Sequence, residues 1–417
     1  MSMKKIPEYM EEIVKPYDSR TAMEEASRCL LCHDAPCSKA CPAGTDPASF
    51  IMSLRFRNIK GAAETIRTAN PLGGVCARVC PYDKLCEQAC SRCGIDKPIA
   101  IGRLQRFAAD QESLFGMKIM EAPAKKNGKA ACIGAGPASL ACAAMLAQAG
   151  VEVTVYEKKA LPGGLLTYGI IPSRLPNEVV EREVRHVADL GVRFVCHTEI
   201  GKDISVDELR KQYDAVFIGT GLGAAKTLDI PGSQLKGVIG ALEFLAEAKT
   251  GHAKIGKQVV VIGGGDVAMD AAATAALHGA KTTVVYRRTL AEAPANLDEI
   301  AFAQSLGVGF CFQFRPVAIE GERSVSAFRA AGTDGESHIT LKADQVILAI
   351  GQSCENPELG GVSRTEKNLI LVENGATNLP GVFAGGDITN GGKTVVQAVA
   401  DGKLAAYSML KFMGGVK

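Results

Sequence analysis

The chain has 417 residues, with 47 Lys and Arg against 45 Asp and Glu, and 47% of its residues are apolar. A net charge of +2 argues against a protein built to hold nucleic acid or an anionic membrane, and no apolar run approaches the ~20 residues of a spanning helix. The length predicts two or three domains, and the opening MSMKKIPEYMEEIV lacks a signal-peptide apolar core, so the chain is expected in the cytoplasm.

Residues 1–122 show short helical patterns, such as Ala62–Ile66, around a dense block of cysteines. Nine of the 14 cysteines fall between Cys29 and Cys93. In a cytoplasmic chain such a block reads as metal-binding rather than disulfide-bonded. The first group is Cys29, Cys32, Cys37 and Cys41-Pro42. The second is Cys76, Cys80-Pro81, Cys86 and Cys90, with Cys93 nearby. Thiolates suit zinc and iron–sulfur clusters alike. Zinc sites ordinarily show two C-x2-4-C pairs with a longer arm between. Four cysteines within 13 residues, ending in Cys-Pro and echoed by Cys80-Pro81, fit two iron–sulfur clusters better. Structural zinc and free thiols are the alternatives. The remaining five, Cys132, Cys142, Cys196, Cys311 and Cys354, read as small buried apolar residues.

Residues 123–129, PAKKNGK, read as a linker. From Lys129 onward glycine turns alternate with strand-like runs and Ala-rich helices, the mark of parallel α/β domains. Lys129–Ile133 reads as a strand, Gly134-Ala-Gly136-Pro-Ala-Ser139 as a phosphate-binding turn, Leu140–Gln148 as a helix and Val151–Tyr156 as the next strand. Glu157 stands 21 residues after Gly136, the place of an acid that holds a ribose hydroxyl. Ser139 replaces the third glycine and is still small enough for tight packing.

The strand Val259–Ile262 enters a second turn, Gly263-Gly264-Gly265-Asp266-Val267-Ala268. Met269–His278 reads as its helix and Thr282–Tyr286 as the next strand. Here Arg287 and Arg288 replace the ribose acid, which favours a 2′-phosphate and hence NADPH over NADH; the plainer reading is a solvated basic pair. Two further strand ends, Phe217–Gly221 and Leu348–Gly351, mark crossings between the dinucleotide domains. In the terminal run Val382-Phe-Ala-Gly385-Gly386-Asp387, Asp387 is placed to hold a flavin ribitol hydroxyl. A helix beginning near Thr394 is placed to aim N–H groups at the flavin ring.

Two dinucleotide turns and a terminal GGD turn resemble the flavin disulfide reductases, with an NAD(P)H domain inserted in an FAD domain. No Cys-x-x-Cys pair follows residue 93, so disulfide reduction is not expected. With the cysteine block in front, the chain resembles the electron-input module of glutamate synthase small subunits and dihydropyrimidine dehydrogenases. The run Cys32-His-Asp34-Ala35-Pro36-Cys37 has the dihydropyrimidine dehydrogenase form. Asn70-Pro-Leu-Gly73, Val79-Cys-Pro81, Leu85-Cys86 and Pro98-Ile-Ala-Ile-Gly102-Arg-Leu-Gln105 are similar to that family too.

The resemblance implies an α/β fold with an N-terminal α-helical iron–sulfur domain over 1–122. An FAD domain would follow in two parts, 129–236 and 352–417, around an inserted NAD(P)H domain at 237–351. It implies two 4Fe-4S clusters: Cys29, Cys32, Cys37 and Cys90 would hold one, and Cys41, Cys80, Cys86 and the Gln105 amide oxygen the other. Spacing alone would have chosen Cys76 in place of Gln105. By the same resemblance Glu157, Gly163, Gly164, Leu165, Arg174, Gly386, Asp387, Lys393 and Thr394 would touch FAD. Gly265, Asp266, Val267, Arg287 and Arg288 would touch the nicotinamide cofactor, NADPH or NADH. The expected function is to pass electrons from NAD(P)H through FAD and the clusters to a separate catalytic FMN/iron–sulfur subunit, which reduces uracil or thymine reversibly. A ring-reducing barrel of about 250 residues has no room here, so a hetero-oligomer is expected. A glutamate synthase small subunit and a zinc-scaffolded sensor are the alternatives. Hydride transfer needs placement rather than an acid or base, so no catalytic side chain is assigned.

Overall fold

The structure, a computed structural model, describes residues 12–124, 127–354 and 359–414. Most of the opening segment that was read for a leader, and Lys125 and Lys126 of the linker, lie outside them. The chain divides into two compact units. One is built on Ala224–Ser353 with Tyr168–Ser173. The other joins Val14–Thr167, Arg174–Gly223 and the residues from Cys354 onward.

The larger unit carries a five-stranded parallel sheet. Its spatial order is Val382–Ala384, Ala215–Ile218, Lys129–Ile133, Glu152–Tyr156 and Arg193–Val195. The run Ala-Val-Phe-Ile at 215–218 is buried throughout, as a strand covered on both faces must be. The helix after the first glycine turn is Pro137–Gln148. It starts three residues before the expected Leu140, because Gly136 is its N-cap and Pro137, whose fixed φ suits a first turn, opens it.

In front of this sheet, and within the same unit, lies a helical domain. Asp18, Asp46 and Asn58 accept backbone N–H bonds at the starts of Ser19–Ser27, Pro47–Arg55 and Ile59–Ala69. Each such cap is worth about 1 kcal/mol. Phe50, Ile51, Leu54, Ile66, Leu104 and Phe107 form its core, and Cys29, Cys37, Cys86 and Cys90 pack against that core.

The smaller unit has a second parallel sheet, in the order Val238–Gly240, Gln345–Leu348, Gln258–Ile262, Lys281–Tyr286 and Gly309–Phe312. Its glycine-turn helix, Asp266–Leu277, also begins three residues earlier than expected, with Gly265 as N-cap. The pairing of Ala224–Ala225 with Gln352–Ser353 brings the two crossing strands together. The unit therefore takes in residues 224–236, which the sequence reading gave to the FAD domain. A three-stranded antiparallel sheet, Phe314–Glu320, Ala327–Gly332 and His338–Lys342, was not anticipated. Among the isolated cysteines, Cys132, Cys142 and Cys354 are buried as expected, but Cys196 and Cys311 are only half-buried. Cys311 sits on Gly309–Phe312, a strand at one edge of its sheet.

Candidate functional site

The first glycine turn uses its glycines for different reasons. Gly134 is held at φ +84°, and a Cβ there would fall 2.8 Å from the Gly219 carbonyl oxygen. Gly136 has ordinary extended backbone, and a Cβ there would meet no protein atom within 4 Å. None of the described residues demands glycine at 136; its open side lies at the start of Pro137–Gln148, where the N–H groups after Pro137 are placed to meet an anion. Ser139 is fully buried against Gly219, and its Oγ has no hydrogen-bond partner among the described residues.

Two distant turns converge on this one. Gly163 N donates to Ala135 O at 2.8 Å, and a Cβ on Gly164 would sit 2.8 Å from Gly136 Cα. A Cβ on Gly386 would lie 2.9 Å from Ala138 Cβ. Glu157, at the end of Glu152–Tyr156, is buried; its Oε2 accepts from Ala135 N at 2.8 Å and its Oε1 from Lys159 N at 2.9 Å. It thus braces the turn that it was expected to serve. Burial pushes the Asp387 carboxyl above the usual range, and its Oδ1 accepts from the Lys393 backbone N. Thr394 caps the long helix Val395–Phe412 by accepting from Gln397 N. Asp401 on that helix accepts from Gly386 N, Asn390 Nδ2 and Gln397 Nε2, which ties the helix to the GGD turn. Gly134, Gly136, Ser139, Glu157, Gly164 and Gly386 are therefore one cradle, with Asp387 and Thr394 beside it. The residues fit a dinucleotide. Leu165 is exposed just past the Gly164 turn, and the Lys393 side chain is exposed as well. Arg174 is half-buried and engaged, three residues before the helix Asn177–Asp189.

In the smaller unit, a Cβ on Gly263 would fall 2.3 Å from Ala349 O and one on Gly264 would enter the Tyr286 ring. Gly265, like Gly136, faces open space: the nearest atom to a Cβ there is Pro294 Cγ at 3.8 Å. Over this turn lies a cavity of about 730 Å³ lined by Gly263, Gly265, Asp266, Val267, Tyr286 and Arg287 among others, a volume suited to a ligand. The two arginines separate. Both are exposed, but Arg287 lines the cavity, whereas Arg288 does not and lies close to the Glu292 carboxylate.

The cysteine block carries free thiols in two neighbourhoods. Cys29 is within electrostatic reach of Cys32 and Cys90, and Cys37 of Cys90 and Cys29. Cys80 is within reach of Cys76, Cys86 and Cys41. Cys86 also reaches Cys37, so the two neighbourhoods adjoin. Burial is the largest cause pushing the Cys37 thiol up to about 11 and Cys86 to about 12, with the other thiols adding to it. Without metal Cys37 and Cys86 are therefore protonated at neutral pH, and loading must displace their protons. Among the described residues no three of His, Cys, Asp or Glu converge closely enough to chelate one bare ion. The grouping fits the two clusters expected. Cys76, buried and hydrogen-bonded to the Asn70 side chain, stands in the second neighbourhood. Gln105 is buried too, and its Nε2 donates to Gly73 O at 2.8 Å, which turns its Oε1 the other way. Cys93 is exposed.

Sequence reasoning missed two groups that join the helical domain to the FAD cradle. Arg67 pairs with Glu112 and Glu183 at 2.8 and 2.7 Å, with all three side chains buried. Lys403 Nζ, on Val395–Phe412, donates to Ala43 O at 2.6 Å and also to Ala69 O. No local motif marks either.

A cavity over the second glycine turn, a glycine cradle with a terminal GGD turn, and a cysteine-rich helical domain are the parts of an oxidoreductase of the pyridine nucleotide type with an iron–sulfur domain in front. Residues 128–402 match the pyridine nucleotide-disulphide oxidoreductase family, and residues 6–116 match dihydropyrimidine dehydrogenase domain II, 4Fe-4S cluster. The chain is 45% identical over 410 residues to the NAD-dependent dihydropyrimidine dehydrogenase subunit PreT of Escherichia coli O157:H7, covering 98% of each chain. It is 34% identical over 442 residues to the glutamate synthase (NADPH) small chain of Escherichia coli K12, covering 96% of this chain and 93% of that one. Mycobacterium tuberculosis FprA in complex with NADPH shares the fold, with a TM-score of 0.60 at 20% identity over 69% of this chain and 85% of that one. The chain belongs to the family of NAD-dependent dihydropyrimidine dehydrogenase subunits.

Proposed function

We propose that this chain is the electron-input subunit of a dihydropyrimidine dehydrogenase, taking electrons from NAD(P)H and delivering them to a partner that reduces uracil or thymine. One observation carries the reading. Within one unit lie the Gly134 cradle and both thiol groups, and Lys403 ties the helix Val395–Phe412 to the segment that carries Cys41. A bound flavin would accept a hydride and release single electrons, and 4Fe-4S clusters carry one electron each.

The chain's own residues divide the work. Gly136 and the amides after it bind and orient the FAD pyrophosphate, Glu157 its ribose, and Asp387 its ribitol. Gly265 opens the cavity of the smaller unit to a nicotinamide nucleotide, and Arg287 meets its 2′-phosphate. The second thiol group, which contains Cys41, lies on the side of the FAD helix, since Lys403 reaches both. The first group is the exit. Arg55 donates to Cys29 O, Phe56 beside it is exposed, and Leu30 and Ile95 are exposed apolar residues near the group's cysteines in the chain. Arg287 also suits the NADPH-named glutamate synthase small chain, which is the second reading. Under both, the chain hands its electrons to another subunit. The isolated, anaerobically prepared chain is expected to oxidise NAD(P)H with an artificial one-electron acceptor and to leave uracil untouched. Uracil reduction without a partner would overturn this division of labour.

A further inference from the structure

Three consecutive residues of the long C-terminal helix do three different jobs. Asp401 holds the GGD turn through Gly386 N, Asn390 and Gln397. Gly402 lets the helix press on the pyrophosphate helix: a Cβ there would fall 2.1 Å from Ala138 O. Lys403 turns the other way and enters the helical domain. Its Nζ donates to the backbone carbonyls of Ala43, two residues after Cys41, and of Ala69, at the end of Ile59–Ala69. Burial pulls the lysine below its ordinary pKa, and Cys41 lies within its electrostatic reach.

We infer that Lys403 is a positioning residue that sets the reduction potential of the second cluster from within the FAD helix. The inference rests on the two-cluster reading above. Reducing a cluster adds one negative charge to it. A fixed ammonium nearby stabilises the reduced form more than the oxidised one, and in a partly buried site that interaction is weakly screened. Net charge and hydrogen bonding around the sulfurs are the levers by which a protein sets such a potential. The first cluster, held by Cys29, Cys32, Cys37 and Cys90, has no such link to Lys403 among the described residues. The same side chain therefore docks the helical domain on the flavin helix and makes the nearer cluster easier to reduce than it would be without the charge.

The test is an anaerobic redox titration of the full chain followed by electron paramagnetic resonance, with iron content measured on every sample. For Lys403→Met, the second cluster is expected to become at least about tenfold harder to reduce, which is about 59 mV for one electron. The first cluster should stay in place as an internal reference. Lys403→Arg should restore most of the shift. If Lys403→Met loses iron, Lys403→Gln keeps a donor for one carbonyl without the charge and is expected to show the same shift. Two intact clusters with unmoved potentials, or both moved equally, would overturn the inference. A wild-type chain without two clusters would instead overturn the reading it rests on.

Discussion

At the scale of single residues, Arg287 is the cavity side chain proposed to set cofactor choice. A guanidinium–phosphate pair is charge-assisted and can be bidentate, and hydrogen bonds to charged groups contribute roughly 1.5–3 kcal/mol. Arg287→Ala is therefore expected to raise KM for NADPH by about tenfold to a hundredfold and to leave KM for NADH nearly unchanged. Steady-state kinetics with both cofactors check this. Equal losses for the two would make Arg287 a general cavity wall. Arg288→Ala should move neither constant much, since Arg288 does not line the cavity. The sequence could not separate the pair, because adjacent residues leaving a strand point to opposite sides and only the fold shows which one faces the ligand. Gly136 and Gly265 were legible because their motif has a steric logic, and the structure adds that their glycine identity serves open space rather than backbone strain. Lys403 was illegible for the opposite reason. A lone lysine in a helix has no signature, and its partners lie more than 300 residues away, at separations of 360 and 334.

At the scale of elements, the junction between Ile59–Ala69, Ile101–Leu114 and Asn177–Asp189 is held by the buried Arg67–Glu112–Glu183 group. Arg67 Nη1 also donates to Pro71 O and to Glu183 at 2.7 Å. Removing the cation leaves two buried carboxylates without their partner. Arg67→Ala should cost about 3–5 kcal/mol, read as a lower midpoint of chemical denaturation, and a loss under about 1 kcal/mol would show that the group is wet or dispensable. Acid should act on the same junction. Burial alone would raise the Glu183 pKa, but Arg67 outweighs it and holds the carboxyl below its usual value. Burial, followed by the Arg67 charge, holds the His186 pKa below the ordinary 6.5. In both cases the unfolded chain binds the proton more readily, so stability falls as pH drops. The fall should begin below about pH 6.5 through His186 and steepen below about 4.5 through Glu183. The strands and helices around the glycine turns could be read from their apolar runs. The antiparallel sheet could not: Pro316 inside Phe314–Glu320 argues against a strand. The structure tolerates it because that strand is at the sheet edge and its register shifts between Pro316 and Ala318.

At the scale of the whole molecule, the described residues form no closed barrel of the kind expected to reduce a pyrimidine ring. Both parallel sheets among the described residues are open and five-stranded, and each serves a dinucleotide turn. The direct measurement is anaerobic NAD(P)H oxidation by the full chain mixed with an FMN/iron–sulfur pyrimidine-reducing subunit, with and without uracil. We expect uracil-dependent oxidation and formation of dihydrouracil only when both subunits are present. No uracil-dependent turnover with that partner, together with glutamate formation when the chain is mixed instead with a large glutamate synthase subunit, would contradict the assignment.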